Sequence, residues 1–184
     1  GCRDTVLDTI NVVGPVANFS LSETLICVGD EITFDIIDST DVFAYQWDFG
    51  NGAGTDTILT NSIVSSEVSN QYFEVPLGGS TVATLIIWSK DFVCDYPVKN
   101  NISVHNVEAN FDFEDSTVCI NDEVIFNDSS LTTGTTNYFW DIGDGNTSTS
   151  TEPLSQSYEN SGTGTYSVIL TLNDPVTGCK DTMI

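Results

Sequence analysis

The stretch YFWDIGDGNTS at residues 138–148 has a near copy earlier in the chain, YQWDFGNGAGT at residues 45–55. Aromatic and apolar residues alternate before the acid in both stretches, which predicts a β-strand with one face on a core. The glycines after the acid tolerate a positive φ, as a tight turn requires. The pattern therefore predicts one strand and turn that occur twice, and the two acidic loops are either a duplicated site or the turns of a duplicated fold.

The duplication extends well beyond these two loops. ANFSLSETLICVGDEITF at 17–34 aligns with ANFDFEDSTVCINDEVIF at 109–126 at a constant offset of 92. Further along, Cys94 aligns with Cys179 at an offset of 85. Internal self-similarity of this kind predicts repeated domains. We call residues 15–106 the first repeat and residues 107–184 the second repeat, whose final strand is predicted to be incomplete.

A third, partial copy lies at the start of the chain. GCRDT at 1–5 echoes GCKDT at 178–182, while Ile10 and Val12 align with Ile102 and Val104 at the offset of 92. Residues 1–14 are therefore predicted to be the last strand of a preceding repeat.

Period-2 alternation recurs throughout each repeat, and no segment has a helical apolar stripe. About seven short strands in some ninety residues predict an all-β fold of tandem immunoglobulin-like seven-strand β-sandwiches. The spacers VGPVAN (13–18) and HNVEAN (105–110) are short and equal in length, which favours a semi-rigid linear array.

The composition excludes several classes of function. The chain has 4 Lys and Arg against 27 Asp and Glu, a formal net charge of −23, so it would repel nucleic acid. No apolar run approaches 18 residues, so no membrane span is predicted. The only histidine, His105, lies in a spacer. No Ser–His–Asp or Cys–His set can form inside a repeat, and no catalytic residue is predicted.

The W-D-F-G-[ND]-G turn, followed by Tyr158 and then G-x-Y-x-V-x-L from Gly164, resembles the PKD (polycystic kidney disease) domain. The second copy, WDIGDG, differs at one apolar position, and the first, WDFGNG, has Asn51 in place of the second acid. CVGDEITF and GCKDT resemble repeats of very large bacterial surface proteins, including gliding-motility adhesins of the type IX secretion pathway. The resemblance implies tandem PKD-type sandwiches in an extracellular chain.

Five cysteines in a chain that resembles secreted proteins favour disulfides over a zinc site. Pairing within each repeat would join Cys27 to Cys94 and Cys119 to Cys179. In a seven-strand sandwich, however, Cys27 and Cys94 belong at opposite poles, roughly 20–25 Å apart, whereas a disulfide needs Cα atoms within about 7 Å. In a linear array Cys27 would instead face Cys179 across the junction of two repeats. This inter-domain pairing is preferred, and the in-domain pairing stays open.

The two acidic loops are predicted to be structural turns, with the tryptophans in the core and the first acid accepting backbone N–H bonds. The turn residues are Trp47, Asp48, Gly50, Gly52, Trp140, Asp141, Gly143 and Gly145. No metal or other cofactor is required, and calcium is the alternative that the clustered acids allow. Its candidate ligands are Asp30, Glu31, Asp112, Asp115, Asp141 and Asp144.

A third pattern is the triplet Asp-(Ser/Thr)-(aliphatic, Met or Thr), which resembles the O-glycosylation motif of bacteria with type IX secretion. The alternative is that this triplet recurs because it suits the passage from a turn into a strand. The candidate acceptors are Thr5, Thr9, Ser39, Thr57, Ser116 and Thr182.

The sequence thus predicts a non-catalytic rod or filament segment of a large extracellular bacterial surface adhesin, with gliding motility as one role. Its expected partners are neighbouring repeats of the same chain, surface glycans and other cell-surface proteins. The alternatives are accessory PKD modules of a secreted hydrolase, for spacing or for polysaccharide or protein targeting, and an S-layer or envelope protein.

Overall fold

A computed structural model describes residues 3–52, 55–58, 67–151 and 154–184, excepting the side chains of 55–58 and 154. Within these ranges the chain consists of strands and turns, and it contains no helix that is long and apolar enough to cross a membrane. The strands are β1 (Val16–Leu21), β2 (Leu25–Cys27), β3 (Glu31–Thr40), β4 (Ala44–Asp48), β5 (Thr55–Ile58), β6 (Glu67–Gln71), β7 (Ser80–Trp88), β8 (Asp95–His105), β9 (Val107–Glu108), β10 (Phe111–Asp112), β11 (Glu123–Asp128), β12 (Leu131–Thr132), β13 (Asn137–Asp141), β14 (Thr147–Ser148), β15 (Leu154–Ser157), β16 (Ile169–Asn173) and β17 (Lys180–Met183).

The first repeat forms a three-stranded sheet in the order β1-β3-β6 and a five-stranded sheet in the order β2-β8-β7-β4-β5. Its first strand is split at residues 22–24, so that β1 pairs antiparallel with β3 while β2 pairs in parallel with the end of β8. Because of this split, the described residues of the first repeat form eight strands where seven were predicted.

The second repeat forms a three-stranded sheet in the order β10-β11-β15 and a four-stranded sheet in the order β14-β13-β16-β17. A short antiparallel ladder joins β9 to β12. Two sheets with alternating buried side chains are the immunoglobulin-like β-sandwich that the sequence predicts.

The contacts divide the chain into two compact units that do not follow the repeat boundaries. Unit 1 contains residues 1–22, 33–70 and 82–101, and unit 2 contains residues 23–32, 71–81 and 102–184. Segments 23–32 and 71–81 of the first repeat therefore belong to unit 2.

Each unit has an aromatic trio in its core. In unit 1 the rings of Phe19 and Trp47 meet edge to face with centroids 4.9 Å apart. In unit 2 the equivalent rings of Phe111 and Trp140 lie 5.2 Å apart, also edge to face. Such pairs contribute about 0.5–1.5 kcal/mol beyond the apolar area that they bury. The trios are Phe19, Phe34 and Trp47 in unit 1 and Phe111, Phe126 and Trp140 in unit 2.

The segment before β1 departs from the sequence prediction. Residues 3–15 form no strand, and the side chains of 3–14 are exposed. A strand is stable only when its backbone groups are paired, and no described strand pairs with this segment. The assignment of residues 1–14 as the last strand of a preceding repeat therefore stays a prediction.

Candidate functional site

The acidic loops are structural turns with the same geometry in both repeats. Asp48 Oδ1 accepts a hydrogen bond from the Gly50 N–H, and Asp141 Oδ1 accepts one from the Gly143 N–H, each at 2.9 Å. All four turn glycines have positive φ. Gly143 is also packed, because a Cβ at this position would lie 2.4 Å from the carbonyl oxygen of Ser167.

Asp144 ties its turn to the rest of unit 2. Its carboxylate accepts hydrogen bonds from the backbone and side chain of Asn146 at 2.9 Å each, from Gln156 Nε2 at 3.0 Å and from Ser161 Oγ at 3.1 Å. Partial burial raises the pKa of Asp144, but the bonds from Asn146 and Ser161 outweigh it and leave this pKa below its usual value.

The equivalent position in the first repeat is Asn51, which makes a similar connection to a neighbouring strand. Asn51 Nδ2 donates to Asn70 Oδ1 at 3.2 Å, and Asn70 lies on β6, the counterpart of the β15 strand that carries Gln156. An amide and a carboxylate thus both hydrogen-bond to the neighbouring strand from this position, which favours a structural role over an ion site.

Both tryptophans are core residues. Trp47 is 1% exposed and Trp140 is fully buried. The indole N–H of Trp140 donates to the carbonyl oxygen of Ser150 at 3.0 Å. Neither ring is available to stack on a sugar.

The candidate calcium ligands are not brought together. Asp30 and Asp112 already accept hydrogen bonds, from the Cys27 N–H at 2.9 Å and from Asn127 Nδ2 at 3.1 Å respectively. Across the part of the chain that the structure describes, no three His, Cys, Asp or Glu side chains form a group that could hold a metal ion.

The structure joins Cys27 to Cys179 in a disulfide, with an S–S distance of 2.02 Å and Cα atoms 5.6 Å apart. Cys94 and Cys119 are free thiols, so the in-domain alternative is wrong for this structure. Cys2 lies outside the described residues. The bond links the first repeat to the second in sequence, yet both cysteines belong to unit 2, and in that sense it is not inter-domain.

The turn around Cys27 occurs a second time around Cys119. Asp30 Oδ2 accepts from the Cys27 N–H at 2.9 Å, and Asp122 Oδ2 accepts from the Cys119 N–H at 3.0 Å. In return the Asp30 and Asp122 N–H groups donate to the carbonyl oxygens of Cys27 and Cys119. The chain therefore contains two copies of one Cys-x-x-Asp turn, one bonded and one free.

The hairpin that carries Cys179 is likewise matched by the one that carries Cys94. The Asp174 N–H donates to the Cys179 carbonyl at 2.8 Å, and the Ser89 N–H donates to the Cys94 carbonyl at 2.9 Å, each across five residues. The two cysteines are therefore equivalent in structure as well as in sequence.

Asp174 holds the Cys179 hairpin, a role that the sequence analysis missed. Its side chain is buried, and its carboxylate accepts hydrogen bonds from the Val176 N–H at 2.8 Å and the Thr177 N–H at 3.3 Å. The bond from Val176 is the main cause that lowers the pKa of Asp174, with further lowering by Thr177 and the nearby His105. The D-P-x-T-G turn pattern at 174–178 was the available sequence signal.

The candidate glycosylation acceptors lie on the surface where their side chains are described. Thr5, Thr9, Ser39, Ser116 and Thr182 are exposed. The side chain of Thr57 lies outside the described residues.

A cavity of about 660 Å³ opens on unit 2, and the sequence analysis did not predict it. Its lining includes Phe113, Val118, Cys119, Ile120 and Met183, and among the described lining residues Asp115 is the one with a charged side chain. We call this cavity the unit 2 groove.

Two packed sheets around buried aromatic side chains place the protein in the immunoglobulin-like β-sandwich class. Within that class, residues 106–183 match the family model described as "PKD domain". No curated protein sequence matches the chain.

Among solved structures, the chain resembles the I-band fragment I67–I69 of titin at 9% identity and a TM-score of 0.50, covering 94% of this chain and 65% of that one. It also matches a structure of carbohydrate-binding modules from the β-sandwich superfamily at 17% identity and a TM-score of 0.44, covering 87% of this chain and 54% of that one. The chain thus spans less than two thirds of either structure. Identities this low show the fold alone.

Proposed function

We propose that this chain is a non-catalytic rod or filament segment of a large extracellular bacterial surface adhesin, of the kind that serves gliding motility in bacteria with type IX secretion. The match to the PKD domain model and the immunoglobulin-like fold support the general part of this proposal, that the chain is a structural or binding module. The finer part rests on the resemblance of the CVGDEITF and GCKDT segments to repeats of such proteins.

The observation that carries the proposal is the Cys27–Cys179 disulfide. It connects the N-terminal part of the first repeat to the C-terminal part of the second repeat, over a separation of 152 residues. Structural disulfides persist in oxidising compartments, which supports a location outside the cell. Because the disulfide encloses most of the chain, it also limits the length to which the chain can be pulled out under tension, as a load-bearing segment requires.

The surface supports the same role. A net charge of −23 opposes side-by-side association of neighbouring rods. Neighbouring repeats of the same chain, surface glycans and other cell-surface proteins are the partners that we propose.

Single-molecule pulling tests the load-bearing role. With the disulfide intact, unfolding under force releases only the residues outside the loop. Under a reductant, the contour length should increase by a further 550 Å or so, from 152 residues at about 3.6 Å each. Equal contour lengths in the two conditions would contradict a role for the bond in bearing load.

Surface exposure is tested on intact cells of the source organism. Antibodies against the chain should label cells without permeabilisation, and external proteinase K should remove the label while a cytosolic marker survives. Labelling that appears only after permeabilisation would refute the extracellular assignment. A catalytic domain in the same polypeptide would instead favour the accessory-module function.

The proposed glycans are tested by intact mass. We propose Thr5, Thr9, Ser39, Thr57, Ser116 and Thr182 as O-glycan acceptors on the native protein. A mass equal to that of the unmodified chain would exclude all six.

A further inference from the structure

The turn of the first repeat contains a chemically reactive pair of residues. Asn51 is the only asparagine in the chain that is followed by a glycine, Gly52. The backbone nitrogen of the residue after an asparagine can attack the carbonyl carbon Cγ of the asparagine side chain, and a side chain on that residue shields the nitrogen. Glycine has no side chain and reaches the backbone conformations of ring closure at little steric cost. The sequence therefore singles out Asn51 among the asparagines.

The structure leaves this pair open to water. Gly52 is exposed and Asn51 is half-buried. Gly52 has a φ of 75°, and no atom of the described residues lies within 4 Å of a Cβ built at this position. Water and hydroxide can thus approach the peptide bond between Asn51 and Gly52 from the solvent side.

A contact with strand β6 holds the Asn51 side chain in its unreacted position. Asn51 Nδ2 donates a hydrogen bond to Asn70 Oδ1 at 3.2 Å. Ring closure turns the Asn51 side chain toward the Gly52 nitrogen, so this hydrogen bond has to break first. Because the net contribution of one hydrogen bond is small, the contact slows the step without preventing it. Asn70 is therefore placed to control the rate.

The second repeat shows that the same turn accommodates an aspartate. At the position of Asn51 it has Asp144, whose Oδ2 accepts a hydrogen bond from Gln156 Nε2 at 3.0 Å. Gln156 is the counterpart of Asn70 at an offset of 86. Since Asn70 also has a side-chain amide, a half-turn of that amide would present its Nδ2 to a carboxylate at position 51. The hydrogen bond between the turn and β6 can therefore be kept after the amide of Asn51 is lost.

We propose that Asn51 of the folded protein deamidates to aspartate, that Asn70 controls the rate, and that the modified turn hydrogen-bonds to β6 as Asp144 does to β15. The Gly52 nitrogen loses its proton and bonds to Asn51 Cγ, and the Cγ–Nδ2 bond breaks to release ammonia, which takes up the proton. Water then adds to Cγ of the succinimide ring, and the bond from Cγ to the Gly52 nitrogen breaks. The net reaction consumes one water, releases one ammonia and involves no oxidant or reductant.

The succinimide ring can also open at its other carbonyl, which gives isoaspartate. That product lengthens the backbone by one carbon, and it would displace Gly52 within a turn where Gly50 and Gly52 both have positive φ. The aspartate product leaves the backbone unchanged and adds one negative charge to the formal net charge of −23. We therefore expect a larger share of aspartate from the folded protein than from the chain unfolded in urea.

Peptide mapping of the full chain after incubation in mildly alkaline buffer tests the site. The folded wild type should gain one negative charge in ion-exchange chromatography. Endoproteinase Asp-N cleaves before aspartate and not before isoaspartate, so it should gain a cleavage site at residue 51. Asn51→Gln is the matched control, because it keeps an amide but has to close a less favourable six-membered ring, and it should gain no charge over the same period.

Two results of this mapping would overturn the proposal. One is an unchanged Asn51 in the folded protein after the time that converts half of it in urea. The other is conversion of Asn160 before Asn51, since Asn160 is exposed and is followed by a serine.

Variants of β6 test the control by Asn70. Asn70→Ala removes the acceptor and should speed the conversion of Asn51 by up to about tenfold, equivalent to about 1.4 kcal/mol. Ser69→Ala is the matched control on the same strand, because the Ser69 side chain is exposed on the opposite face, and it should react at the wild-type rate. Equal rates in the two variants would refute the role of Asn70.

A folding defect would also speed the reaction, so a variant with the opposite expectation is needed. Asn70→Asp keeps an acceptor and makes it a charged one, which strengthens the hydrogen bond from Asn51. It should slow the conversion below the wild-type rate, and faster conversion in this variant while circular dichroism shows it folded would refute the role of Asn70. This test stands even if Asn70→Ala fails to fold.

The Asn51→Asp variant provides the product in pure form. Its midpoint of thermal unfolding should lie within about 4 °C of the wild type. Asn51→Ala, which has no side-chain partner for Asn70, should unfold at a lower temperature than Asn51→Asp. Equal midpoints for these two variants would overturn the proposed hydrogen bond of the product. Failure of any of these tests would leave the function proposed above unaffected, because that function depends on the disulfide and not on this turn.

Discussion

Loss of the Cys27–Cys179 disulfide should have the largest effect on stability of any single change considered for this protein. The bond closes a loop of 152 residues. A chain-entropy treatment gives about 17 cal/mol/K for a loop of this length, or about 5 kcal/mol at 25 °C. Residual structure in the unfolded chain reduces the effect, so we expect the free energy of unfolding to fall by about 3–5 kcal/mol.

Urea denaturation of the Cys27→Ser, Cys179→Ser double variant measures this change. Cys179 is 3% exposed, so serine there also buries a hydroxyl group. Reduced wild-type protein lacks that hydroxyl and separates the two effects. The matched control is Cys94→Ser, Cys119→Ser, which removes two free thiols and should change the free energy by less than about 0.5 kcal/mol. A loss below about 1 kcal/mol in both the reduced protein and the double variant would refute the loop-closure argument.

Three further changes test the turns of unit 2. Gly143→Ala should lower the free energy of unfolding by at least about 2 kcal/mol, because φ is 81° and the new Cβ would collide with Ser167. Gly145→Ala should lower it by about 1–2 kcal/mol, because φ is 93° but the space around the new Cβ is open. Equal losses in thermal unfolding would contradict the packing argument. Asp144→Asn should lose less than about 1 kcal/mol, because the first repeat has an amide there, and Asp144→Ala should lose about 1–3 kcal/mol; a large loss in the asparagine variant would point to a need for charge. The lowered pKa of Asp174 contributes stability that is present above its unfolded pKa of about 3.9 and is lost as pH falls through the lower folded pKa. Between pH 7 and 5 this contribution should be constant, and Asp174→Asn should show a shallower fall in stability below pH 4; parallel acid profiles for the two proteins would exclude this role.

Much of the sandwich could be predicted from the sequence because its core follows a strict period of two. Trp47 and Trp140 alternate with other apolar residues, and both are buried. The turns could also be predicted, since an acid two residues before a glycine supplies an acceptor for that glycine's N–H.

The N-terminal segment could not be predicted in the same way. Residues 6–13 have the apolar pattern of a strand, yet a strand exists only when another strand pairs with it. Ile102 and Ile10 have equivalent sequence surroundings, but one is fully buried and the other 90% exposed. The groove in unit 2 was missed because a cavity depends on how segments that are distant in sequence pack together, and local sequence does not encode that.

The two Cys-x-x-Asp turns give the molecule a built-in comparison of covalent closure. The Cys27 and Cys119 amides make the same hydrogen bond, to Asp30 and Asp122, at 2.9 and 3.0 Å, yet only Cys27 is part of a disulfide. Amide hydrogen exchange reports the free energy of local opening. Slower exchange at Cys27 than at Cys119, and the loss of that difference on reduction, would measure how far a crosslink at a turn slows the opening of that turn.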